Sequence, residues 1–314
     1  MTSLFGLERP VNFGWYILGS FIVFLASVLG QIPFTVAIAV KTMASGKGLP
    51  KTMKEMLQVM DLNLSLFLLL LTFAVAFFGF YIVIRFMHKQ TLRSIATSRM
   101  QLDWKRVFTA FSIWAIVTVF ITIVSYKATD TTMVWNFQPE RFLILALIAV
   151  VFIPLQTSLE EFLFRGYLMQ GFAQLHPHRW FPLFWTSLIF GLLHITNPEV
   201  EALGYVVLFY YVGTGLFLGI ITLMDEGMEL ALGFHAANNL MAALLITSDS
   251  SIFQTYAIFK DTEKPQLSLE LFLPLLVLYP LLIYIFSKLY RWTDWKQRLT
   301  GSILIPDPIK TPKL

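Results

Sequence analysis

Three charged side chains lie within six residues of an otherwise apolar stretch: Glu160, Glu161 and Arg165 fall in a segment from about Phe142 to Phe172. A charged group near the centre of a membrane helix costs roughly 2.5–3.5 kcal/mol on insertion scales. Three such groups are hard to accommodate against lipid, so they must face a protein interior or a water-filled cavity. This placement predicts a functional site within the membrane.

The spacing of these groups gives the two carboxylates different partners. Glu161 and Arg165 are four residues apart with the glutamate first, which is the favourable order for an ion pair within a helix. Glu160 points about 100° away from Glu161, because an α-helix has 3.6 residues per turn. Glu160 is therefore free for another task while its neighbour is paired.

Two histidines and an asparagine in other apolar segments can join Glu160. His194 ends the fifth segment, and His235 lies in the seventh with Asn239 four residues later, on the same helix face. At 1.5 Å per residue, Glu160 and His194 each lie roughly 20 Å from the predicted cytoplasmic surface, and His235 to Asn239 roughly 10–15 Å. Taken singly, each has a structural interpretation as a helix–helix contact, but a carboxylate, two imidazoles and an amide together favour a common site.

The whole chain has the composition of a membrane protein. Of its 314 residues, 57% are hydrophobic and 13% charged, whereas a soluble domain has about 25% charged residues. The absence of cysteine excludes disulfides, thiol nucleophiles and thiolate metal sites. The net charge of +4 does not indicate nucleic-acid binding, because the basic residues flank apolar segments, as membrane topology requires. The predicted partner is the lipid bilayer.

These segments predict an all-α fold, a polytopic membrane helix bundle of about eight transmembrane helices. The predicted spans are Phe13–Ala39, Leu64–Ile84, Val107–Tyr126, Phe142–Phe172, Phe181–Ile195, Leu203–Met224, Leu230–Ile246 and Leu271–Leu289. The first could instead be a cleaved signal, and the fourth is either one tilted helix or a span broken near Pro154. Pro33 is expected to kink or end the first.

The predicted topology is multi-pass in the cell (inner or plasma) membrane. An even number of spans places both termini on one side, and that side carries more Lys and Arg, so both termini are expected in the cytoplasm. We expect three regions: N-terminal membrane helices and loops (1–140), a core that contains the charged cluster and both membrane histidines (141–247), and a loop, last span and basic tail (248–314). Gly215 and Gly219 have the spacing at which another helix backbone approaches closely.

The polar residues of the fourth, fifth and seventh segments form three motifs, Glu160-Glu161-x-x-x-Arg165, Phe190-x-x-x-His194 and His235-x-x-x-Asn239. This set resembles the CAAX prenyl protease and bacteriocin-processing (CPBP, Abi) family of intramembrane glutamic endopeptidases. The resemblance covers about residues 155–244. It implies peptide-bond hydrolysis inside the membrane by a glutamate-activated water, acting on a membrane-associated or lipidated protein or peptide.

The resemblance also implies a role for each motif residue. Glu160 corresponds to the general base, and His194 holds and activates the water with it. His235 and Asn239 correspond to the pair that stabilises the oxyanion, where each preorganised donor is worth about 10²–10³ in rate in other hydrolases.

The remaining motif residues correspond to supporting positions. Glu161 and Arg165 hold the motif helix in place, and Phe190 contributes packing. One glutamate and two histidines are also the ligand set of several zinc peptidases, but the resemblance implies a mechanism without metal or cofactor.

Two other classes of function are open on the sequence. One is a non-catalytic membrane interaction or bacteriocin-immunity protein on the same scaffold, although such a scaffold does not need the base. The other is a transporter in which the buried acid and histidines relay protons. The lack of an internal repeat counts against a transporter.

Overall fold

Apolar helices make up most of the computed structural model, which describes residues 12–46, 48–128 and 132–303. The helices are, in chain order, α1 (Phe13–Ala44), α2 (Met53–Leu57), α3 (Leu62–Met87), α4 (Leu92–Ala96), α5 (Trp104–Ala128), α6 (Pro139–Ala173), α7 (Trp180–Leu192), α8 (Pro198–Leu203), α9 (Val207–Asp225), α10 (Glu229–Leu245), α11 (Pro274–Leu289) and α12 (Trp295–Thr300). Wider π-helical turns occupy Val83–Met87, Phe162–Leu168 and Pro274–Leu278, and a 3₁₀ turn at Leu269–Phe272 precedes α11.

Five helices in the described part of the chain are long and apolar enough to cross a membrane, namely α1, α3, α5, α6 and α9. The apolar helices α7 and α11 are shorter, and α10 has 17 residues. The predicted polytopic helix bundle is therefore confirmed, and the chain is a membrane protein. The number of eight spans stays a prediction, as do the side of each terminus and the basic tail, whose residues 304–314 lie outside the described residues.

Pro33 and Pro154, which were expected to disturb long helices, each lie within a helix that continues past the proline. Helix α1 continues through Pro33 to Ala44, and α6 continues through Pro154 as one helix. The change of helical pitch in α6 comes later, in the π turn that begins directly after Glu161. The alternative of a span broken near Pro154 is therefore wrong.

The helices that carry the three motifs pack side by side. Helix α10 packs against α5 and α6, α9 packs against α7, and α3 packs against both α1 and α6. The buried face of α6 includes Leu145, Ala149 and Ile153, which are fully buried in an apolar cluster with Leu240 and Ala243 of α10. Apolar burial on this face therefore brings the first motif against the third.

Small residues allow α7 and α9 to approach closely. A Cβ atom added at Gly215 would lie 3.0 Å from both Cα and O of Ser187 on α7, and these backbone atoms cannot move aside cheaply. One added at Gly219 would lie 2.4 Å from Cδ1 of Leu183. The close helix approach expected from this glycine spacing is confirmed.

Three short strands form a small sheet at the end of the bundle where α10 ends. They are β1 (Met133–Trp135), β2 (Ile246–Thr247) and β3 (Phe259–Asp261). The strand order is β1-β3-β2, with β1 antiparallel and β2 parallel to β3. The sheet was not predicted, because strands of two or three residues carry no readable periodicity.

A buried ion-pair network holds the opposite end of α10. Arg99 contacts Asp225 and Glu229 at 3.0 Å each, and Arg106 also binds Asp225. The indole N–H of Trp292 donates to the same aspartate at 3.1 Å. The two acidic side chains are 2% and 0% exposed, so this network anchors the turn between α9 and α10 to the start of α5.

Candidate active site

Glu161 is the centre of a buried chain of polar contacts. Its Oε1 accepts hydrogen bonds from Nη1 of Arg165 at 2.9 Å and from Nδ1 of His235 at 2.7 Å. Arg165 also donates to the carbonyl of Gly215 at 3.2 Å, and its guanidinium lies 4.3 Å from the ring centre of Phe190. The ion pair expected from the spacing is present, and it ties α6 to α7, α9 and α10.

Glu160 has a different environment from its neighbour. Its Oε1 accepts a hydrogen bond from Nε2 of Gln156 at 3.0 Å. Its Oε2 lies 3.6 Å from Nε2 of His235 and is buried without a hydrogen-bond partner within the described residues. One oxygen of Glu160 is therefore held, while the other is available to a substrate or a water molecule.

The His235 imidazole is flanked by both carboxylates. Glu161 binds its Nδ1, and Glu160 faces its Nε2. The two glutamates thus reach opposite sides of one ring, although they leave α6 in directions about 100° apart. The ring is nine-tenths buried, with its side chain 6% exposed.

His194 lies in the turn that directly follows α7. Its Nδ1 lies 2.8 Å from the carbonyl of Phe190, and because a carbonyl only accepts, Nδ1 must carry the proton. The neutral ring then presents Nε2 as an acceptor. The ring stacks on Tyr211 of α9, with ring centres 4.1 Å apart, and its centre lies 4.9 Å from that of Phe190.

Asn239 is one helical turn beyond His235 on α10. Its Oδ1 accepts a hydrogen bond from Nδ2 of Asn238 at 3.1 Å, and Oδ1 of Asn238 accepts one from Nε1 of Trp114 at 3.1 Å. Within the described residues, no hydrogen bond joins Asn239 to the other polar motif residues. The structure therefore brings six of the seven predicted site residues into one contact set, and it places Asn239 next to that set on the same helix.

Four residues of this site were missed in the sequence. Gln156 is four residues before Glu160 in an apolar segment, so the spacing rule that revealed Glu161 and Arg165 would have revealed it. Asn238 is adjacent to a motif residue. Tyr211 and Trp114 carry no such signal, because they meet their partners only through helix packing.

The alternative of a zinc site concerns the glutamates and the two histidines of the motifs. Among residues 12–46, 48–128 and 132–303, no group of three or more His, Cys, Asp or Glu is arranged to hold a metal ion. Nδ1 of His235 is bound by Glu161 and Nδ1 of His194 by a carbonyl. Each imidazole therefore keeps Nε2 for another partner, which is also the arrangement of a metal-ligating histidine, so the zinc alternative stays a matter for experiment.

Comparisons with known proteins agree with the motifs. Residues 139–241 match the family model described as Type II CAAX prenyl endopeptidase Rce1-like. An uncharacterized protein of Bacillus subtilis (strain 168), YyaK, is 30% identical over 179 residues, which cover 56% of this chain and 59% of that protein. No solved structure matches the chain. The family match confirms the resemblance inferred from the three motifs.

Proposed function

From the Rce1-like match of residues 139–241, we propose that the chain is an intramembrane endopeptidase that hydrolyses a peptide bond of a membrane-associated or lipidated protein. The observation that carries this proposal is the unequal environment of the two glutamates. Oε1 of Glu161 is bound by Arg165 and His235, and this side chain is 0% exposed. Oε2 is buried without a hydrogen-bond partner in both glutamates within the described residues, but that of Glu160 faces Nε2 of His235 at 3.6 Å on a side chain that is 15% exposed. The charge of Glu161 is compensated by Arg165, whereas no arginine or lysine pairs with Glu160 within the described residues, and a role as base accounts for a carboxylate kept in an apolar segment.

Glu160 and His194 hold and activate the attacking water in this mechanism. Oε2 of Glu160 takes one proton from the water, and Nε2 of His194 accepts a hydrogen bond from the other. The water oxygen bonds to the scissile carbonyl carbon and forms a tetrahedral intermediate. When the C–N bond breaks, Glu160 returns its proton to the leaving amine, so that one water is consumed for each bond cleaved.

His235 and Asn239 stabilise the oxyanion of that intermediate. Nδ1 of His235 already donates to Glu161, so Nε2 can donate to the oxyanion only when the ring is an imidazolium. Asn239, on the same face of α10, supplies a second N–H donor.

Comparison of peptide termini in membranes from cells with the wild-type protein and with Glu160→Gln tests this proposal. A terminus that disappears in the variant, together with an accumulating precursor, would demonstrate proteolysis and identify the substrate. Glu201→Gln, an exposed carboxylate on α8, serves as the matched control and is expected to leave all termini unchanged. Identical termini in wild type and Glu160→Gln, at equal protein levels, would instead favour a non-catalytic interaction or immunity role.

A further inference from the structure

Trp114 of α5 is joined to the candidate oxyanion residue by a chain of two hydrogen bonds. Its indole N–H donates to Oδ1 of Asn238 at 3.1 Å, and Nδ2 of Asn238 donates to Oδ1 of Asn239 at 3.1 Å. Trp114 is 5% exposed. The chain therefore runs from a buried side chain of α5, across the helix interface, to the third motif on α10.

The donor-to-acceptor direction of these two hydrogen bonds follows from the Trp114 indole. Carboxamide oxygen and nitrogen are distinguished only by the hydrogen bonds they make. An indole N–H can only donate, so Asn238 must present its oxygen to Trp114 and its N–H₂ group to Asn239. Asn239 must then accept with its own oxygen, which leaves its N–H₂ group unengaged.

This orientation matters for the proposed reaction. An oxyanion is stabilised by N–H donors and repelled by a carbonyl oxygen, so a flipped Asn239 carboxamide would raise the barrier rather than lower it. Without a directional partner, a carboxamide can adopt either orientation. The hydrogen bond from Asn238 selects the orientation that leaves the donor group available.

We propose that Trp114, acting through Asn238, is a positioning residue that holds the Asn239 carboxamide with its N–H₂ group available to the oxyanion. This inference rests on the proposed function. Trp114 lies outside the matched residues 139–241, so a side chain of the N-terminal region takes part in organising the site.

The indole itself is held by aromatic packing. Its ring centre lies 4.6 Å from that of Phe234 and 5.9 Å from that of Tyr279. These contacts fix the direction of the N–H bond, which a surface indole would not maintain. They also mean that Trp114 contributes to packing, and the experiment must separate the two roles.

A double-mutant cycle on Trp114→Phe and Asn239→Ala separates the packing role of Trp114 from its positioning role. The assay measures kcat and KM in liposomes with a quenched peptide that spans the cleavage site found by the terminus comparison. We expect Asn239→Ala to lower kcat by about 10²–10³ and Trp114→Phe to lower it by about tenfold, the scale of one hydrogen bond, with KM unchanged. In the Asn239→Ala background, Trp114→Phe is expected to cause no further loss, because its effect passes through that carboxamide.

Asn238→Asp tests the donor-to-acceptor direction of the hydrogen bonds that link Trp114 to Asn239. Aspartate still accepts from Trp114 but cannot donate to Asn239, which must then turn its N–H₂ group toward the carboxylate. We expect a loss of kcat as large as that of Asn239→Ala. Trp185→Phe, a substitution of an exposed indole on α7, is the matched control and is expected to leave kcat unchanged.

Different outcomes overturn different claims. Equal losses from Trp114→Phe in both backgrounds, or no loss in the wild-type background, would reduce Trp114 to a packing residue while leaving the proposed function intact. Full activity of Asn239→Ala would remove the oxyanion role of Asn239 and the positioning role with it. Full activity of Glu160→Gln would instead overturn the proposed function.

Discussion

Adjacent glutamates on one helix have different chemistry because they touch different groups. Glu161 is fully buried and paired with Arg165 and His235. Glu160 is 15% exposed and accepts a hydrogen bond from Gln156. Removing the charge of Glu161 leaves Arg165 buried without its counter-ion, while removing the charge of Glu160 leaves that ion pair intact. The two residues should therefore respond differently to the same substitution.

Glu160→Gln is expected to abolish peptide cleavage and leave the melting temperature in detergent unchanged. Glu161→Gln is expected to reduce both peptide cleavage and the melting temperature. It leaves Arg165 buried without its counter-ion, which costs about 3–5 kcal/mol in the free energy of unfolding. Cleavage of the identified substrate and thermal unfolding measure the two effects. Equal stability losses in both variants would contradict the assignment of different roles.

Tyr211 is expected to hold the His194 ring by stacking. Tyr211→Phe keeps the stacked ring, and we expect little change in kcat. Tyr211→Leu removes the aromatic face 4.1 Å from the imidazole, and we expect a loss of about tenfold, comparable to a stacking pair of 0.5–1.5 kcal/mol. Similar kcat values for the two variants would show that the stacking does not contribute.

Metal chelation should leave cleavage unaffected if Glu160 is the base. Treatment of the purified protein with 1,10-phenanthroline is expected to preserve kcat, since the proposed mechanism uses Nε2 of His194 and His235 for hydrogen bonds. Loss of activity that added Zn²⁺ restores would favour the zinc alternative.

Helix packing controls where these side chains meet. The motifs of α6, α7 and α10 converge because apolar faces bury α6 against α10 and because glycine lets α9 approach α7. Gly215 serves both purposes, since its carbonyl also accepts from Arg165. A substitution at this position should therefore disturb the helix contact and the polar chain together.

Gly215→Ala is expected to lower the free energy of unfolding by about 1–3 kcal/mol, the usual cost of overpacking. The added Cβ would meet backbone atoms of Ser187 at 3.0 Å. Gly213→Ala is the matched control, because the three nearest atoms there, at 2.6–3.3 Å, all belong to the side chain of Leu275, which can move aside more easily than a helix backbone. Equal stability of the two variants in detergent unfolding would contradict the close-packing argument.

For the protein as a whole, the membrane topology can be tested directly because the chain contains no cysteine. Gln101 and Ser268 are exposed and lie in loops predicted on opposite sides. In intact cells, Ser268→Cys is expected to react with a membrane-impermeant maleimide. Gln101→Cys is expected to react only after the membrane is permeabilised, because its loop is predicted to lie in the cytoplasm. The opposite labelling pattern would invert the predicted topology.

Local spacing was sufficient for part of the site. The membrane class follows from composition, and the pair of Glu161 with Arg165 follows from a spacing of four residues, because both depend only on neighbouring positions. The three motifs likewise lie within short segments of sequence. Residues 139–241, which match the family, can be recognised from these segments.

Contacts between distant residues required the tertiary structure. The sequence could not show that Glu160 and Glu161 flank opposite nitrogens of His235, that Tyr211 stacks on His194, or that the hydrogen-bond chain to Asn239 begins on α5. It also did not reveal the small sheet. Each of these depends on how helices rotate and slide against one another, and helical periodicity determines which face of a helix is buried but not which residue it meets.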